Sequence, residues 1–211
     1  MKNGLTDIPV IILARSGSKR LRDKNILILG NKTLSQWSCE NGLRISNRVI
    51  YSSDSQRYLS MLNDGRVELH KRSEQNASDK STSLDALREV VYSLDISHDH
   101  IILLQPTNPV IDFNLVKEII SRRIKGKSTI ACGRLDKNVI ENTIGGVRIH
   151  EKNSLLFESG MFYLISTARM KEGLLYGEND LFLESEHAGH TIDIDNQKDM
   201  DKAKLYLDDK H

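Results

Sequence analysis

Apolar positions along this chain follow two periods that alternate. Residues 8–14 (IPVIILA) form a short continuous apolar run, the pattern of a strand covered on both faces. Residues 48–53 (RVIYSS) and 100–104 (HIILL) repeat it, and 67–69, 129–132, 161–165 and 190–194 are predicted as further strands. Between these runs the period lengthens. Leu84, Leu87, Val91 and Leu94 recur at steps of three and four, which places them on one stripe of a helix over 81–95. Helices are also predicted after Thr33 or Ser35, carrying Leu34, Trp37 and Leu43, and over 55–63 with Gly65 as the stop. Another follows Asp112, with Phe113, Val116, Ile120 and Ile124 inward, and a last one covers 196–207. In 136–157 the Gly145-Gly146 pair suggests a turn between two weak strands. Strand and helix alternate through most of the chain, so the expected fold class is α/β, a three-layer sandwich with a mainly parallel sheet.

Composition narrows the classes. The chain has 211 residues, with no fixed-period repeat and no linker rich in Pro, Gly or Ser, so a single domain over 1–211 is expected. With 38% hydrophobic and 28% charged residues it reads as neither a membrane protein nor a low-complexity chain. The apolar run near the N-terminus is too short for a signal peptide or anchor, so the expected compartment is cytoplasmic. Cys39 and Cys132 are far apart and form no CxxC, which argues against a zinc framework or redox motif. Glu186-His187-Ala-Gly-His190 lacks the HExxH pattern of a zinc helix. Net charge is +1, so no nucleic-acid footprint covers the surface; any anion site must gather its charge locally.

One segment gathers it. In open α/β sheets ligands bind beyond the carboxyl ends of the strands. The first strand is followed by RSGSKRLRDK, residues 15–24, with five basic side chains and one acidic, a local charge of +4. Gly17 permits close backbone approach, and Ser16 and Ser18 add donors, so the loop could wrap a di- or triphosphate. It matches neither the P-loop nor the dinucleotide fingerprint, and by itself it serves equally as a solvated loop. After residue 104 comes Gln105-Pro-Thr-Asn108-Pro109, a rigid loop that could present Gln105 and Asn108 to a ligand, or simply connect strand to helix. On a strand over 190–194, Asp193 and Asp195 would share a face and suit Mg²⁺; the alternative is a solvated face, or Asp195 as the next helix cap. Residues 193–209 carry six acids and three bases, so the near-zero total is a cancellation between two opposed ends.

With these segments in hand the chain resembles the CMP-sialate synthetases (acylneuraminate cytidylyltransferases) and their relatives acting on other 2-keto-3-deoxy sugar acids. The matching pieces, in family order, are LARSGSKRLRDKN (13–25), YSSDS (51–55), RSEQNASDKSTSLDAL (72–87), ILLQPTNP (102–109), ESGMFYL (158–164) and IDIDNQKDM (192–200). The resemblance implies a Rossmann-like nucleotidyltransferase fold. It also implies Mg²⁺-dependent transfer of CMP from CTP to the anomeric hydroxyl of a nonulosonic acid, and a homodimer. Carried over residue by residue, Arg15 and Lys19 meet the triphosphate, with Ala14 and Ser16 beside them. Lys24 and Asn25 lie near the nucleotide, and Arg72 and Ser83 around cytosine and ribose. Gln105 faces the sugar, and Asp193 and Asp195 bind the metal. The chain departs from the family pattern at Arg22-Asp23, where Pro-Gly is usual, at Ser73, at Gln75 and at Ser159. The stretch around 133–158, which in the family carries a dimerisation arm and sugar-binding bases, is shortened. An octulosonate acceptor, or a nucleotide-binding relative without catalysis, are the alternatives these departures raise.

Overall fold

A computed structural model describes residues 5–18, 20–62, 64–78, 80–134, 156–185 and 192–208. Its strands are, in chain order, β1 (Val10–Leu13), β2 (Ile28–Leu29), β3 (Lys32–Thr33), β4 (Val49–Ser53), β5 (Val67–Lys71), β6 (His100–Leu104), β7 (Thr129–Arg134), β8 (Leu156–Ser166) and β9 (Leu181–Glu184). The helices are α1 (Leu34–Ile45), α2 (Gln56–Ser60), α3 (Ser83–Ser93), α4 (Phe113–Ser121), α5 (Thr167–Lys171) and α6 (Gln197–Asp208). Seven strands form one sheet in the order β5-β4-β1-β6-β8-β7-β9, and β2 and β3 pair as a separate hairpin. Within the large sheet only β8 runs against its neighbours, antiparallel to both β6 and β7.

Alternation along the strands splits the core into two faces. Val10 and Ile12 of β1 pack with Cys39 and Ile45 of α1, Tyr58 of α2, and Leu115, Val116 and Ile119 of α4. Ile11 points the other way, to Leu87 and Val90 of α3 and Met170 of α5. Helices therefore cover both sides, giving the expected three layers. A third, smaller core lies beside the sheet: Leu29, Leu34, Ile194, Met200 and Ala203, with Leu21, Leu27, Trp37 and Ile192 against it. It joins the loop after β1, the small hairpin and α6 into one body.

Local chemistry sets the helix starts. Thr33 caps α1 in a capping box with Gln36, and Thr82 does the same for α3 with Asp85. Asp112 accepts from the Asn114 and Leu115 N–H groups at the head of α4. That helix ends at Ser121, so its inward residues are Leu115, Val116 and Ile119. Phe113 and Ile120 are only partly buried, and Ile124 lies past the helix end, exposed. The strand expected over 190–194 is absent from 192–194, which run as irregular backbone, while 190 and 191 lie outside the described residues. The strand in that part of the chain is β9, which pairs parallel to β7. The turn expected at Gly145-Gly146 and most of the shortened 133–158 stretch also lie outside the described residues. Both cysteines are buried free thiols.

Candidate active site

The chain leaves β1 towards β4 on one side and leaves β6 towards β7 on the other. The neighbours β1 and β6 thus bound the topological switch point, where an open sheet parts to leave a crevice. A cavity of about 520 Å³ occupies that place. Leu13, Arg15, Ser18, Arg20, Lys24 and Asn25 line it after β1, Gln105, Pro106 and Thr107 after β6, and Ser83 at the head of α3. Asp193 and Asp195 close it. A second cavity of about 300 Å³ shares Leu13, Arg15 and Ser83 with the first and adds Arg72, Asn76, Ser81, Thr82 and Ala86.

The basic loop is shaped by its own side chains. Asp54, after β4, accepts from both the Ser16 N–H, at 2.8 Å, and the Ser16 hydroxyl. Asn25 donates to the Arg15 carbonyl at 2.8 Å, and the Ser35 hydroxyl donates to the Asn25 carbonyl at 2.7 Å. Asp23 sits at φ 54°, a left-handed conformation in which a side chain is strained. Its carboxylate accepts from the Tyr58 hydroxyl and the Arg57 guanidinium, each at 3.0 Å, and these two partners hold its pKa down, Tyr58 most. A short 3₁₀ turn, Lys24–Ile26, follows and aims Lys24 into the cavity.

The acidic wall is held by the loop after β6. The Ile194 N–H donates to the Thr107 carbonyl at 2.9 Å. The Asn108 amide donates to the Ile192 carbonyl at 3.0 Å and to the Ser159 carbonyl at 2.9 Å. Asn108 is therefore a brace between three segments and does not present itself to a ligand, whereas Gln105 does line the cavity. Asp195 pairs with Lys24 at 2.7 Å and with Arg20. It does not cap α6; Asn196 and Asp199 bond across the start of that helix, and Asp199 also accepts from the Asp195 N–H. Asp193 is accessible from the cavity. The protein packed about its carboxyl nonetheless pushes its pKa up, the charges of Asp195 and Asp199 add to this, and a Thr107 hydrogen bond and Lys24 oppose it.

Two carboxylates crowded at one cavity wall, one of them reluctant to ionise, are a donor set that a hard cation would relieve. Among the described residues no cluster of three His, Cys, Asp or Glu forms a protein cage. Mg²⁺ binds through one or two carboxylates and completes its shell with water and phosphate oxygens, and Asp193 and Asp195 supply two at this wall. The residues present fit the ion.

Of the residues proposed from sequence, Arg15, Lys24, Asn25, Ser83, Gln105, Asp193 and Asp195 converge on the larger cavity, and Arg72 on its extension. Lys19 lies outside the described residues. Ala14 is fully buried and spends its N–H on the Ser52 carbonyl, so it supports the wall from behind. Ser16 is spent on Asp54 and is not part of the lining. Ser18, expected as a donor of the phosphate loop, lines the cavity; Arg20 and Thr107 were missed, since only the loop charge pointed at Arg20 and nothing in the sequence marked Thr107.

Comparisons with known proteins bear on the family and the fold. The sequence model of the family described as cytidylyltransferase matches residues 9–206. An N-acylneuraminate cytidylyltransferase from Escherichia coli O18:K1:H7 is 34% identical over 117 residues, 54% of this chain and 28% of that protein. A pseudaminic acid cytidylyltransferase from Campylobacter jejuni is 31% identical over 124 residues, 56% of this chain and 53% of that one. These matches thus span between about a quarter and about half of the length of the curated relatives. Among solved structures, CMP:2-keto-3-deoxy-manno-octonic acid synthetase complexed with CTP superposes with a TM-score of 0.73 at 17% identity, covering 98% of this chain and 100% of that one, which establishes the shared fold. With its site at the switch point and the family model matched from β1 to α6, this chain belongs to the cytidylyltransferase family.

Proposed function

We propose that this protein transfers CMP from CTP to the anomeric hydroxyl of a nonulosonic acid, releasing pyrophosphate. The observation that carries the reading is the facing of the cationic loop and the Asp193–Asp195 wall across one cavity. The anomeric oxygen forms a bond to the α-phosphorus, the bond from that phosphorus to the β-phosphate oxygen breaks, and the hydroxyl proton leaves to solvent. Arg15, with Lys19 beside it in sequence, binds the triphosphate and stabilises the charge that gathers on the departing pyrophosphate. Ser83 and Arg72 hold the nucleoside end in the smaller cavity, and Gln105 meets the sugar. Asp193 and Asp195 hold Mg²⁺, which when bound gathers phosphate charge and makes the attacking hydroxyl more acidic. Lys24 and Arg20 pair with Asp195 in this structure and line the same cavity, so both would be placed to meet the phosphates if a metal took that carboxylate.

The curated relatives that match at about 30% identity carry nonulosonic-acid names, which favours that acceptor over an octulosonate. No helix among the described residues is long and apolar enough to cross a membrane. We place the reaction in the cytoplasm, and sedimentation tests the homodimer that the resemblance implies. The decisive assay measures pyrophosphate and CMP-sugar mass from CTP, with and without Mg²⁺, over a panel of nonulosonic and octulosonic acids. Turnover of a nonulosonic acid is expected. Turnover of an octulosonate alone moves the acceptor, and CTP binding without any turnover leaves a nucleotide-binding protein.

A further inference from the structure

Arg72 follows β5 and is 4% exposed, yet it has no carboxylate partner among the described residues. Its guanidinium is held by one residue. Nη2 donates to the Ser52 carbonyl at 2.9 Å and Nε donates to the Ser52 hydroxyl oxygen at 3.4 Å. Ser52 is fully buried on β4, and its hydroxyl also lies 3.0 Å from Nδ1 of His70. Nε2 of His70 lies 2.9 Å from the Ser93 hydroxyl, at the end of α3, which itself reaches the Val90 carbonyl at 3.3 Å.

One assignment of donors and acceptors satisfies every group in this row. Arginine can only donate, so the Ser52 oxygen accepts from Arg72, and in this assignment its single proton is given to Nδ1 of His70. The Ser93 proton goes to the Val90 carbonyl, so its oxygen accepts from Nε2–H of His70. Both requirements are met by one species, a neutral His70 with its proton on Nε2. Burial favours that neutral form; Glu89 of α3 and Glu68 of β5 pull against it, and the charge of Arg72 supports it.

We infer that His70 is a positioning residue for Arg72: by accepting the Ser52 proton it orients the hydroxyl that holds the guanidinium against the nucleoside end of the cavity. The inference rests on the proposed nucleotide site for its effect on turnover, but the row of hydrogen bonds can be read without any nucleotide. Loss of the acceptor leaves the Ser52 proton with no partner in a buried place and loosens the Nε contact.

The test uses three variants that separate the two ends of the ring. His70→Asn keeps an acceptor at the Nδ1 position, His70→Gln keeps a donor only at the Nε2 position, and His70→Phe keeps neither. Nitrogen-resolved NMR of the ligand-free protein reads the His70 tautomer and the exchange rate of the Arg72 Nε–H. KM and kcat for CTP are measured with the melting temperature of each variant. The expected result is a slow-exchanging Arg72 Nε–H in the wild type and His70→Asn and fast exchange in the other two. KM for CTP rises about 5–10-fold in His70→Gln and His70→Phe, with kcat kept. Unchanged exchange at Arg72 in His70→Phe overturns the inference, as does a loss of affinity that follows melting temperature across all three. A wild type with the expected NMR pattern that fails to bind CTP overturns the proposed function instead.

Discussion

A β-carbon on Gly160 would stand 2.7 Å from Oδ1 of Asn108, closer than non-bonded atoms pack, and Gly160 holds φ 77°. The two residues share one small volume because Asn108 must reach both Ser159 and Ile192 carbonyls at once. The Ser159-Gly160 pair of β8 is thereby tied to the position of the acidic wall. Gly160→Ala is expected to cost about 1–3 kcal/mol from the left-handed backbone alone, with the contact adding to it. Denaturant unfolding checks this. Placing Asn108→Ala in the same chain should relieve the contact part only, so the two effects will not sum.

Asp193 and Asp195 differ in what surrounds them, and their asparagine variants should differ too. Burial and neighbouring acids penalise ionised Asp193 in the folded state, so Asp193→Asn should raise the melting temperature of the ligand-free protein at neutral pH. Asp195→Asn removes the counter-charge of Lys24 and Arg20 and should bring no such gain. Both should lower Mg²⁺-dependent turnover beyond the roughly 10–100-fold that an outer-shell change costs a metal site. Calorimetry of the ligand-free proteins beside steady-state rates separates the two outcomes.

Asp23 takes a conformation that glycine adopts without strain. Tyr58 and Arg57 compensate by holding its carboxylate. Asp23→Gly should therefore fold as well as the parent, with the Lys24 turn less fixed and a higher KM for CTP. Asp23→Ala keeps the strain and loses both partners, so it should be the less stable of the two. An alanine variant as stable as the glycine one would show that the latch does not matter.

His70 gives the protein a pH dependence with a definite sign. Its folded pKa is lowered from the ordinary value of about 6.5, so the folded state binds fewer protons than the unfolded chain. Its contribution is complete above about 6.5 and is lost as pH falls from there towards the folded value. Melting temperature should decline across that interval in the wild type more steeply than in His70→Phe, and parallel curves would remove His70 from the account.

Much of the fold was legible because it rests on patterns that repeat. The runs over 8–14 and 100–104 became the two strands that flank the site, and the stripe over 81–95 became α3. Thr33 and Asp112 announced helix starts through side-chain oxygens that need only the next few N–H groups. The site was legible where charge marked it, at Arg15, Lys24, Asp193 and Asp195. What stayed hidden depends on backbone partners far along the chain. Asn108 looked like a ligand because its acceptor carbonyls, at 159 and 192, have no residue signature. Residues 190–194 were expected to form a strand from their alternation of apolar and polar positions, but Thr107 and Asn108 take backbone groups at 194 and 192 and no ladder forms over 192–194. His70 carried no signal, since its partners sit 18 and 23 residues away on different elements.

The pairing of Arg20 with Asp195 spans 175 residues of chain. In synthesis order, β1 and its basic loop emerge long before the carboxylates that face them. Until then the loop is a cationic segment without its internal counter-charges, open to any polyanion nearby. A nascent chain halted before residue 193 should accordingly bind heparin or RNA non-selectively, and the completed chain should release it. The charge of the loop is in this sense balanced only after residues 193–195 have emerged and α6 has packed beside the small hairpin.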